Sequence, residues 1–354
     1  TEWVSAEWAA LAAECSPHIV HEPLPTEPGQ PVPPAETDAQ ALAALNPPAV
    51  LPTAWWIGSY SSLASGARHE AAAVDHDLRV QPAQPQPAPP VRTRLADDDI
   101  LRFPRGAAAG DALHAVFEAV RFDQPEQWPE GIARALQMHP QPLSAAQLTG
   151  DEPPLPPMLQ RMLTDVLNTP LPTGDAQAGP VQLATLPPRR LRVEMEFTLP
   201  APHLTAGDLT DALRTLGYPT PSLVFGGLEG YLRGFIDLVF EHGGRYYLLD
   251  WKSNHLGDRP EDYGREPLAE AMAEHGYHLQ YLLYAVALQR LLRQRLPGYR
   301  HEDHFGGVFY LFVRGVRPGW QQPDGTPAGV YFHRPAEATL QRLSQLLGET
   351  EAWA

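Results

Sequence analysis

Alternation between apolar and polar positions marks several segments of the chain. Residues 191–200 and 234–240 alternate in this way, and residues 245–252 resume the alternation after a short interruption. Because successive side chains on a strand point to opposite faces, a period of two predicts β-strands with one packed face. Residues 306–313 are apolar almost throughout, which is typical of a strand that is buried on both faces.

Helical periodicity lies between and around these strands. In residues 110–120 the small apolar side chains recur every three or four positions, with Asp111 suited to the start of a helix. Residues 268–296 have the same period over a longer stretch, and Trp3 to Cys15 predict a short helix at the start of the chain. Strands mixed with helices predict an α/β or α+β fold, in which a central mixed sheet is flanked by helices.

Proline dominates much of the first hundred residues. The runs 23–48 and 81–90 are rich in proline, and extended polyproline segments of this kind act as spacers. The strand-like patch WWIGSYSSLASG (55–66) lies between them, and we interpret its Trp55 and Trp56 as packing residues rather than as platforms for stacking bases. We therefore predict a linker over 1–95, carrying the remnant of a preceding domain, and one folded domain over 96–354.

Composition narrows the functional classes. The net charge of −16 argues against a free-standing, tight DNA binder, because neutralising phosphates requires surplus lysine and arginine. Cys15 is the only cysteine, which excludes intrachain disulfides and cysteine-cluster metal sites and favours a reducing, cytoplasmic setting. No apolar run approaches the roughly 18 residues of a membrane span. The chain begins at Thr1 without a leader, and we expect a fragment of something longer.

One basic residue stands apart from the others. Of the 26 lysines and arginines, Lys252 is the only lysine. An ammonium is a compact point charge, whereas a guanidinium is wide and planar, so the two are not interchangeable at a tight site. We therefore expect Lys252 to lie where an ammonium is required.

The pair Gly243-Gly244 predicts a hairpin between two of the strands. Both central positions of a type I′ turn need positive φ, which glycine adopts readily. Closing the hairpin there pairs His242 with Arg245, and the same register places Asp237 opposite Asp250 with Lys252 on the same face. The other face would then carry apolar side chains that are suited to packing. These are Ile236, Leu238, Phe240, Tyr247, Leu249 and Trp251.

Facing carboxylates with an adjacent lysine have a specific chemistry. Like charges opposite each other on a sheet are destabilising unless a cation lies between them. Carboxylate oxygens suit Mg²⁺ or Mn²⁺, and a bound metal lowers the pKa of water and offsets charge on a phosphate. The alternative is an ordinary hairpin with exposed charges. We predict a metal-dependent phosphodiesterase site at Asp237, Asp250 and Lys252.

At this point the residues resemble a known family. GFIDLVFEHGGRYYLLDWKSNHLG (234–257) is similar to the nuclease domain of the RecB family, the beta subunits of exodeoxyribonuclease V, which have a PD-(D/E)xK, restriction-endonuclease-like core. Further segments resemble the same family in order along the chain. They are WWIGSYSSL (55–63), FPRGAAAGDALHAVFE (103–118), VEMEFTLP (193–200), LQYLLYAVALQRLLRQRLPGY (279–299) and HFGGVFYLFVRGV (304–316).

The resemblance implies a metal site with one histidine. It makes His114, Asp237 and Asp250 the side-chain ligands, adds the backbone carbonyl of Trp251, and makes Lys252 the catalytic lysine. Trp251 stands where the family usually has tyrosine, a change that should be harmless if only the carbonyl is used. Asp111 likewise replaces a usual threonine.

The resemblance also implies three supporting residues. Glu194 takes the position of a further catalytic glutamate, although Glu196 is two residues away on the same face and remains an alternative. Gln280 and Tyr284 match a Gln-x-x-x-Tyr motif that supports the site and contacts DNA. The last turns of that helix are basic, and either DNA tracking or compensation of the helix dipole would explain them. The residues concerned are Arg290, Arg293, Arg295 and Arg300.

The resemblance extends to cofactor and partners. It implies Mg²⁺, with Mn²⁺ able to substitute, and single-stranded DNA unwound by a helicase on the same polypeptide, of which residues 1–95 would hold the end. RecC-like and RecD-like subunits, a RecA-type recombinase and a role in double-strand-break repair follow from the same family. A non-catalytic nuclease-fold module for DNA or recombinase docking is the alternative. An AddB-like iron–sulfur nuclease needs four cysteines and is excluded.

Overall fold

The computed structural model describes residues 2–22, 55–65, 95–142 and 154–349. Both proline-rich runs, 23–48 and 81–90, lie outside these residues. The chain forms two compact units, Thr1–Leu51 and Pro52–Ala354. In the first unit, helix α1 spans Glu2–Glu14, which confirms the predicted N-terminal helix.

A mixed sheet organises the second unit. In the part of the chain that is described, its strands are β1 Trp55–Gly58, β2 Leu191–Leu204, β3 Leu228–His242, β4 Arg245–Lys252, β5 Phe305–Phe312 and β6 Val330–His333. They follow the order β1-β3-β4-β5-β6, and β2 pairs with β3. The pairs β1–β3 and β4–β5 are parallel, and the other pairs are antiparallel. This arrangement confirms the predicted central mixed sheet.

Helices cover both faces of the sheet and enclose two apolar cores. The described helices of this unit are α2 Tyr60–Ser65, α3 Ala107–Ala119, α4 Trp128–Met138, α5 Leu155–Asn168, α6 Ala206–Thr215, α7 Arg265–Glu274, α8 Tyr277–Arg295, α9 His301–His304 and α10 Glu337–Leu346. One core is built on α3, α4 and α5, and the other on α6, α7, α8 and α10. None of the helices described combines the length and apolar character that crossing a membrane requires.

Two predicted helices differ in their boundaries. Helix α3 begins at Ala107, so Asp111 lies in its second turn rather than at its start. The stretch 268–296 forms two helices, because Gly276 adopts a left-handed conformation with φ 70° between α7 and α8. A residue in this conformation ends a helix, and glycine tolerates it without a steric penalty.

Strand β1 lies inside the segment that the sequence assigns to a linker. It pairs with the first half of β3, from Trp55 beside Glu229 to Gly58 beside Leu232. The hydroxyl of Tyr60 then donates to the carbonyls of His275 (3.1 Å) and Gly276 (2.9 Å) in the α7–α8 turn. Residues 55–60 therefore belong to the folded unit, whereas the boundary at residue 95 stays a prediction.

A buried arginine links three segments that surround the hairpin. Arg314 is 1% exposed and follows β5. Its guanidinium donates to the carbonyls of Ser253 (2.8 Å), Ile100 (3.1 Å), Phe103 (3.1 Å) and Pro104 (2.5 Å). Burial lowers the pKa of Arg314 to about 10, so the side chain stays charged at neutral pH. Arg314 thus joins the end of β4 to the segment that leads into α3.

Replacing Arg314 by methionine should strongly destabilise the fold. The substitution keeps an apolar stem but removes the charged donor from four carbonyls, of which that of Ile100 keeps a hydrogen bond from the Phe103 N–H. A buried carbonyl left unsatisfied costs about 1–3 kcal/mol. We expect the free energy of unfolding to fall by at least about 3 kcal/mol. Urea denaturation followed by circular dichroism would measure it.

Arg265→Met is the matched control, because Arg265 has an exposed side chain that pairs with Asp324. Exposed pairs contribute at most about 1 kcal/mol. Equal destabilisation by the two substitutions would contradict the role assigned to Arg314.

Candidate active site

The hairpin that carries the predicted site forms with the expected register. Gly243 and Gly244 have φ values of 61° and 80°, and His242 pairs with Arg245. The ladder continues to Leu238 beside Leu249 and ends there, one position before the two aspartates.

At that point β4 diverges from β3. The backbone N–H of Trp251 donates to the carboxylate of Asp237, with 2.8 Å between N and Oδ2. Strand β2 runs along one edge of β3, so β1 and β4 share the other edge. β1 pairs with residues 229–232 and β4 with residues 238–242, which leaves 233–237 between them. Asp237 therefore lies in a notch where the sheet opens.

The alternation of faces inverts beside this notch. Ile236 packs in the α8 core, whereas Leu238 packs in the α3 core, although a regular strand would put both on one face. On β2, Met195 and Val193 are divided in the same way. The prediction that Ile236 shares a face with Leu238 is therefore wrong. The physical reason is Glu194, whose φ of 49° is left-handed and interrupts the pleat.

Glu194 rather than Glu196 faces the predicted site. The register of β2 and β3 places Glu194 opposite Asp237. Burial, followed by the charges of Glu118 and Asp250, raises the pKa of Glu194 to about 7. Glu196 is exposed and forms an ion pair with Arg233. A non-glycine residue in a left-handed conformation is costly, and such strain concentrates at functional sites.

His114 reaches the same site from helix α3. Its Nδ1 lies 3.4 Å from Oδ2 of Asp237, and its ring is 2% exposed. One turn later, Phe117 stacks on Trp251, with the ring centroids 3.9 Å apart and the planes at 9°. Because Trp251 lies between the two active-site residues of β4, this stack fixes the distance between α3 and the hairpin. The tryptophan therefore has a packing role in addition to any role of its carbonyl.

Lys252 is held between a carboxylate and two aromatic rings. Its Nζ lies 2.8 Å from Oδ2 of Asp250, and the side chain is 1% exposed. The ammonium also lies 4.0 Å from the ring centroid of Tyr277 and 5.3 Å from that of Tyr310. Aromatic faces attract cations, so the two tyrosines and Asp250 fix the ammonium at the carboxylates.

Gln280 and Tyr284 support this arrangement from inside the core. The hydroxyl of Tyr310 donates to Oε1 of Gln280 (2.9 Å), and Nε2 of Gln280 donates to the hydroxyl of Tyr284 (3.2 Å). Gln280 and Tyr284 are only 1% and 3% exposed. Gln280 and Tyr284 thus belong to a hydrogen-bonded chain that reaches Tyr310, beside Lys252, whereas contact of this motif with DNA stays a prediction.

Negative charge exceeds positive charge at this site. Burial raises the pKa of Asp237 well above its ordinary value, and the charges of Asp250 and Glu194 raise it further. Lys252 and the Trp251 N–H act in the opposite direction. Within the described ranges, no three His, Cys, Asp or Glu side chains converge closely enough to hold a metal ion as they stand. Buried, hard carboxylate oxygens beside one imidazole nevertheless fit the chemistry of a divalent cation.

Several residues of the site were not found in the sequence. Tyr277 and Tyr310 fall on apolar faces of predicted elements, where an aromatic residue normally indicates core packing. Glu118 lies one helical turn after His114, and this i,i+4 spacing was a usable signal. Arg314 lacked any signal, because its carbonyl partners come from distant segments.

The basic end of α8 has mostly structural contacts. Arg290 donates to the hydroxyl of Ser344 (2.8 Å) and to nearby carbonyls, and Arg293 pairs with Glu349 (3.0 Å). These contacts attach α8 to the region after α10. Tracking of DNA by Arg290 and Arg293 therefore has no support. For Arg295, and for Arg300, which lies beyond the helix and pairs with Asp303, it stays a prediction.

Comparison with known proteins identifies the family to which this chain belongs. The sequence matches the PD-(D/E)XK nuclease superfamily over residues 92–353, which is most of the chain. This chain belongs to the PD-(D/E)XK nuclease superfamily. Asp237, Asp250 and Lys252, at the point where the two strands diverge, are the candidates for the catalytic residues of this superfamily in the chain.

Relatives within the superfamily include RecB proteins. The chain is 41% identical over 249 residues to the RecBCD enzyme subunit RecB of Escherichia coli (strain K12), covering 69% of this chain and 19% of the relative. It is 36% identical over 272 residues to the RecB subunit of Mycobacterium tuberculosis (strain ATCC 25618 / H37Rv), covering 70% of this chain and 24% of the relative. It is 32% identical over 353 residues to the RecB subunit of Mycolicibacterium smegmatis (strain ATCC 700084 / mc(2)155), covering 90% of this chain and 31% of the relative. The chain thus spans less than a third of each of these relatives.

Replacing Glu194 by glutamine should stabilise the fold at neutral and alkaline pH. The pKa of the Glu194 carboxyl is about 7 in the folded chain and near 4.5 in the unfolded chain. The fold therefore loses stability as the pH rises through that interval, because ionisation of this carboxyl is less favourable in the folded chain. Glutamine does not ionise, so the melting temperature of Glu194→Gln should exceed that of wild type at pH 8, and the two should converge near pH 4.5. Thermal melts in chelator would measure this difference.

Glu196→Gln is the matched control and should show no such pH dependence. A Glu194→Gln advantage that stays constant between pH 4.5 and pH 8 would contradict the placement of Glu194 among the buried carboxylates.

Removing the ring of Tyr277 should impair the action of Lys252. Cation–π contacts contribute roughly 0.5–2 kcal/mol, so Tyr277→Leu should lower kcat about two- to thirtyfold with little change in KM. Tyr277→Phe retains the ring and loses only the hydroxyl, which donates to Asn254 at 3.3 Å. We expect nearly wild-type cleavage from the phenylalanine variant. Equal loss in both variants would show that the ring does not hold the ammonium.

Proposed function

We propose that this chain is the nuclease unit of a RecB-like protein, a metal-dependent deoxyribonuclease that hydrolyses phosphodiester bonds in single DNA strands. The observation that carries the proposal is Lys252 Nζ, 2.8 Å from Asp250 Oδ2, in the notch that also contains Asp237. An ammonium beside convergent carboxylates suits hydrolysis of a phosphate ester. Similarity to RecB proteins supports DNA as the substrate.

The proposed metal ligands are Asp237, Asp250, His114 and the carbonyl of Trp251. Mg²⁺ is the proposed ion, with Mn²⁺ as a substitute that accepts imidazole more easily. Bound there, the ion would supply charge stabilisation for the scissile phosphate and a lowered pKa for the attacking water. The contact between His114 and Asp237, together with the excess of buried negative charge, supports this donor set.

The protein side chains have distinct proposed roles. Lys252 donates a hydrogen bond from Nζ to the attacking water and orients it for in-line attack on phosphorus. Glu194, with a pKa of about 7, accepts a proton near neutral pH through its carboxylate. The 3′ oxygen departs, and the product carries a 5′ phosphate. Gln280 and Tyr284 position this group of residues by way of Tyr310.

The partners follow from the same similarity. The names of the relatives place RecB in a RecBCD enzyme, and we propose RecC-like and RecD-like subunits around this chain. A helicase region of the same polypeptide would deliver the single strand, consistent with a chain whose net charge is −16. Loading of a RecA-type recombinase and a role in double-strand-break repair complete the proposal.

Substitution of Lys252 tests the proposed function. Full-length chain is incubated with a labelled single-stranded oligonucleotide and Mg²⁺ or Mn²⁺, and the products are separated on a denaturing gel. We expect Lys252→Ala to lower the cleavage rate about 100-fold or more, and chelator to abolish cleavage. Lys252→Arg should also fail, because the space between Asp250 and the tyrosine rings suits a compact ammonium.

Arg265→Met, which changes an exposed basic residue away from the notch, should cleave at the wild-type rate. If wild type gave no metal-dependent cleavage above the Lys252→Ala background, the chain would be a non-catalytic nuclease-fold module. Cleavage that persists in chelator would equally refute the proposed chemistry.

A further inference from the structure

Exposed aromatic and apolar side chains concentrate beside the active-site strand. Trp55 is 61% exposed, Ile57 53% and Tyr231 43%, whereas the intervening Trp56 is buried. The parallel register of β1 and β3 places Ile57 beside Tyr231, so these side chains share one face of the sheet. The expected packing role is therefore wrong for Trp55 and correct for Trp56.

The same face leads directly to the active site. Along β3 the period of two puts Tyr231, Arg233, Phe235 and Asp237 on one side, ahead of the inversion described above. Leu232 and Ile236, which alternate with them, are buried in the opposite core. The six residue steps from Tyr231 to Asp237 span about 20 Å at roughly 3.3 Å per residue. A line of side chains thus runs from the edge of the sheet to a catalytic carboxylate.

Strand β2 completes an open surface. Its Glu196, Thr198 and Pro200 are exposed and pair with Phe235, Arg233 and Tyr231 respectively, so they lie on the same face. This surface ends where Glu194 and Asp237 meet helix α3. We call it the β1–β3 face, defined by Trp55, Ile57, Tyr231, Arg233 and Phe235.

The chemistry of the β1–β3 face suits nucleobases more than phosphates. Trp55, Tyr231 and Phe235 offer rings on which bases of any sequence can stack. The guanidinium of Arg233 lies 5.7 Å from the ring centroid of Phe235 and is paired with Glu196. Because Glu196 offsets that charge, the face attracts a strand through stacking rather than through phosphate neutralisation.

We infer that the β1–β3 face is a binding track for a single DNA strand, on which bases stack between the edge of the sheet and the notch at Asp237. The inference rests on the proposed nuclease function and adds a substrate-binding site that lies outside the catalytic residues. A duplex presents its bases stacked on one another, so the track selects unpaired strands. The distance of about 20 Å corresponds to a few extended nucleotides, similar to the smallest sites of single-strand binding folds.

Binding separates this inference from the proposed function. In the Lys252→Ala background the DNA stays intact, and fluorescence anisotropy gives the Kd of the full-length chain for a 12-nucleotide oligo(dT) strand, with a dinucleotide as competitor. Stacking contributes about fivefold or more in affinity per ring. We expect Trp55→Ala/Tyr231→Ala to raise the Kd for the 12-mer about 25-fold or more, while competition by the dinucleotide, which is too short to span the track, is unaffected.

Two control variants accompany the double substitution. Met138→Ala removes an equally exposed apolar side chain from α4, 56% exposed and outside the β1–β3 face, and should bind as the Lys252→Ala parent does. Trp55→Phe/Tyr231→Phe keeps an aromatic ring at both positions and should restore most of the affinity, which separates stacking from any change in folding. The salt dependence of Kd should be shallow, because few phosphates are neutralised.

The outcomes are decisive in each direction. A length-dependent loss of affinity that phenylalanine rescues supports the track, whether or not the Lys252-containing chain cleaves DNA. An unchanged Kd in the double alanine variant, equal to that of Met138→Ala, overturns the track even where cleavage is robust, and assigns the β1–β3 face to a protein partner instead. No measurable binding of the 12-mer at low salt also overturns it.

Discussion

Two buried carboxylates and a half-buried third beside a single ammonium group are the constraint on which the rest of this structure depends. The charges of Asp250 and Glu194 raise the pKa of Asp237, and the charge of Asp250 also raises the pKa of Glu194. Among the groups acting on Asp237, only Lys252 and a backbone N–H lower its pKa. Such an arrangement is unfavourable for stability by itself. Its presence is understandable where a cation and a phosphate are to be bound, because their charges complement it.

The two cores hold this arrangement from opposite sides. On the α3 side, the stack of Phe117 on Trp251 sets the height of His114 above the hairpin. On the α8 side, Tyr277 and the chain of hydrogen bonds from Tyr310 to Gln280 fix the ammonium. Arg314 then connects the end of β4 to the entrance of α3. The site is therefore positioned by rigid elements rather than by loops.

Short-range patterns predicted much of this molecule, and long-range contacts explain the remainder. The Gly243-Gly244 turn fixes its register locally, so the convergence of Asp237 and Asp250 could be derived from spacing alone. The side of the sheet on which Ile236 lies could not be derived in this way, because it depends on the left-handed backbone of Glu194 in a neighbouring strand. The choice between Glu194 and Glu196 has the same origin. Arg314 was beyond prediction because its four carbonyl acceptors lie up to 214 positions away along the chain.

The solitary lysine has a consequence for chemical probing. Reagents that acylate amines have a single side-chain target among these 354 residues, namely Lys252. That target is 1% exposed and covered by tyrosine rings. Modification of an internal amine therefore reports motions that expose this one side chain, from local opening of the notch to global unfolding, and mass spectrometry can follow them on the unaltered chain without an engineered label.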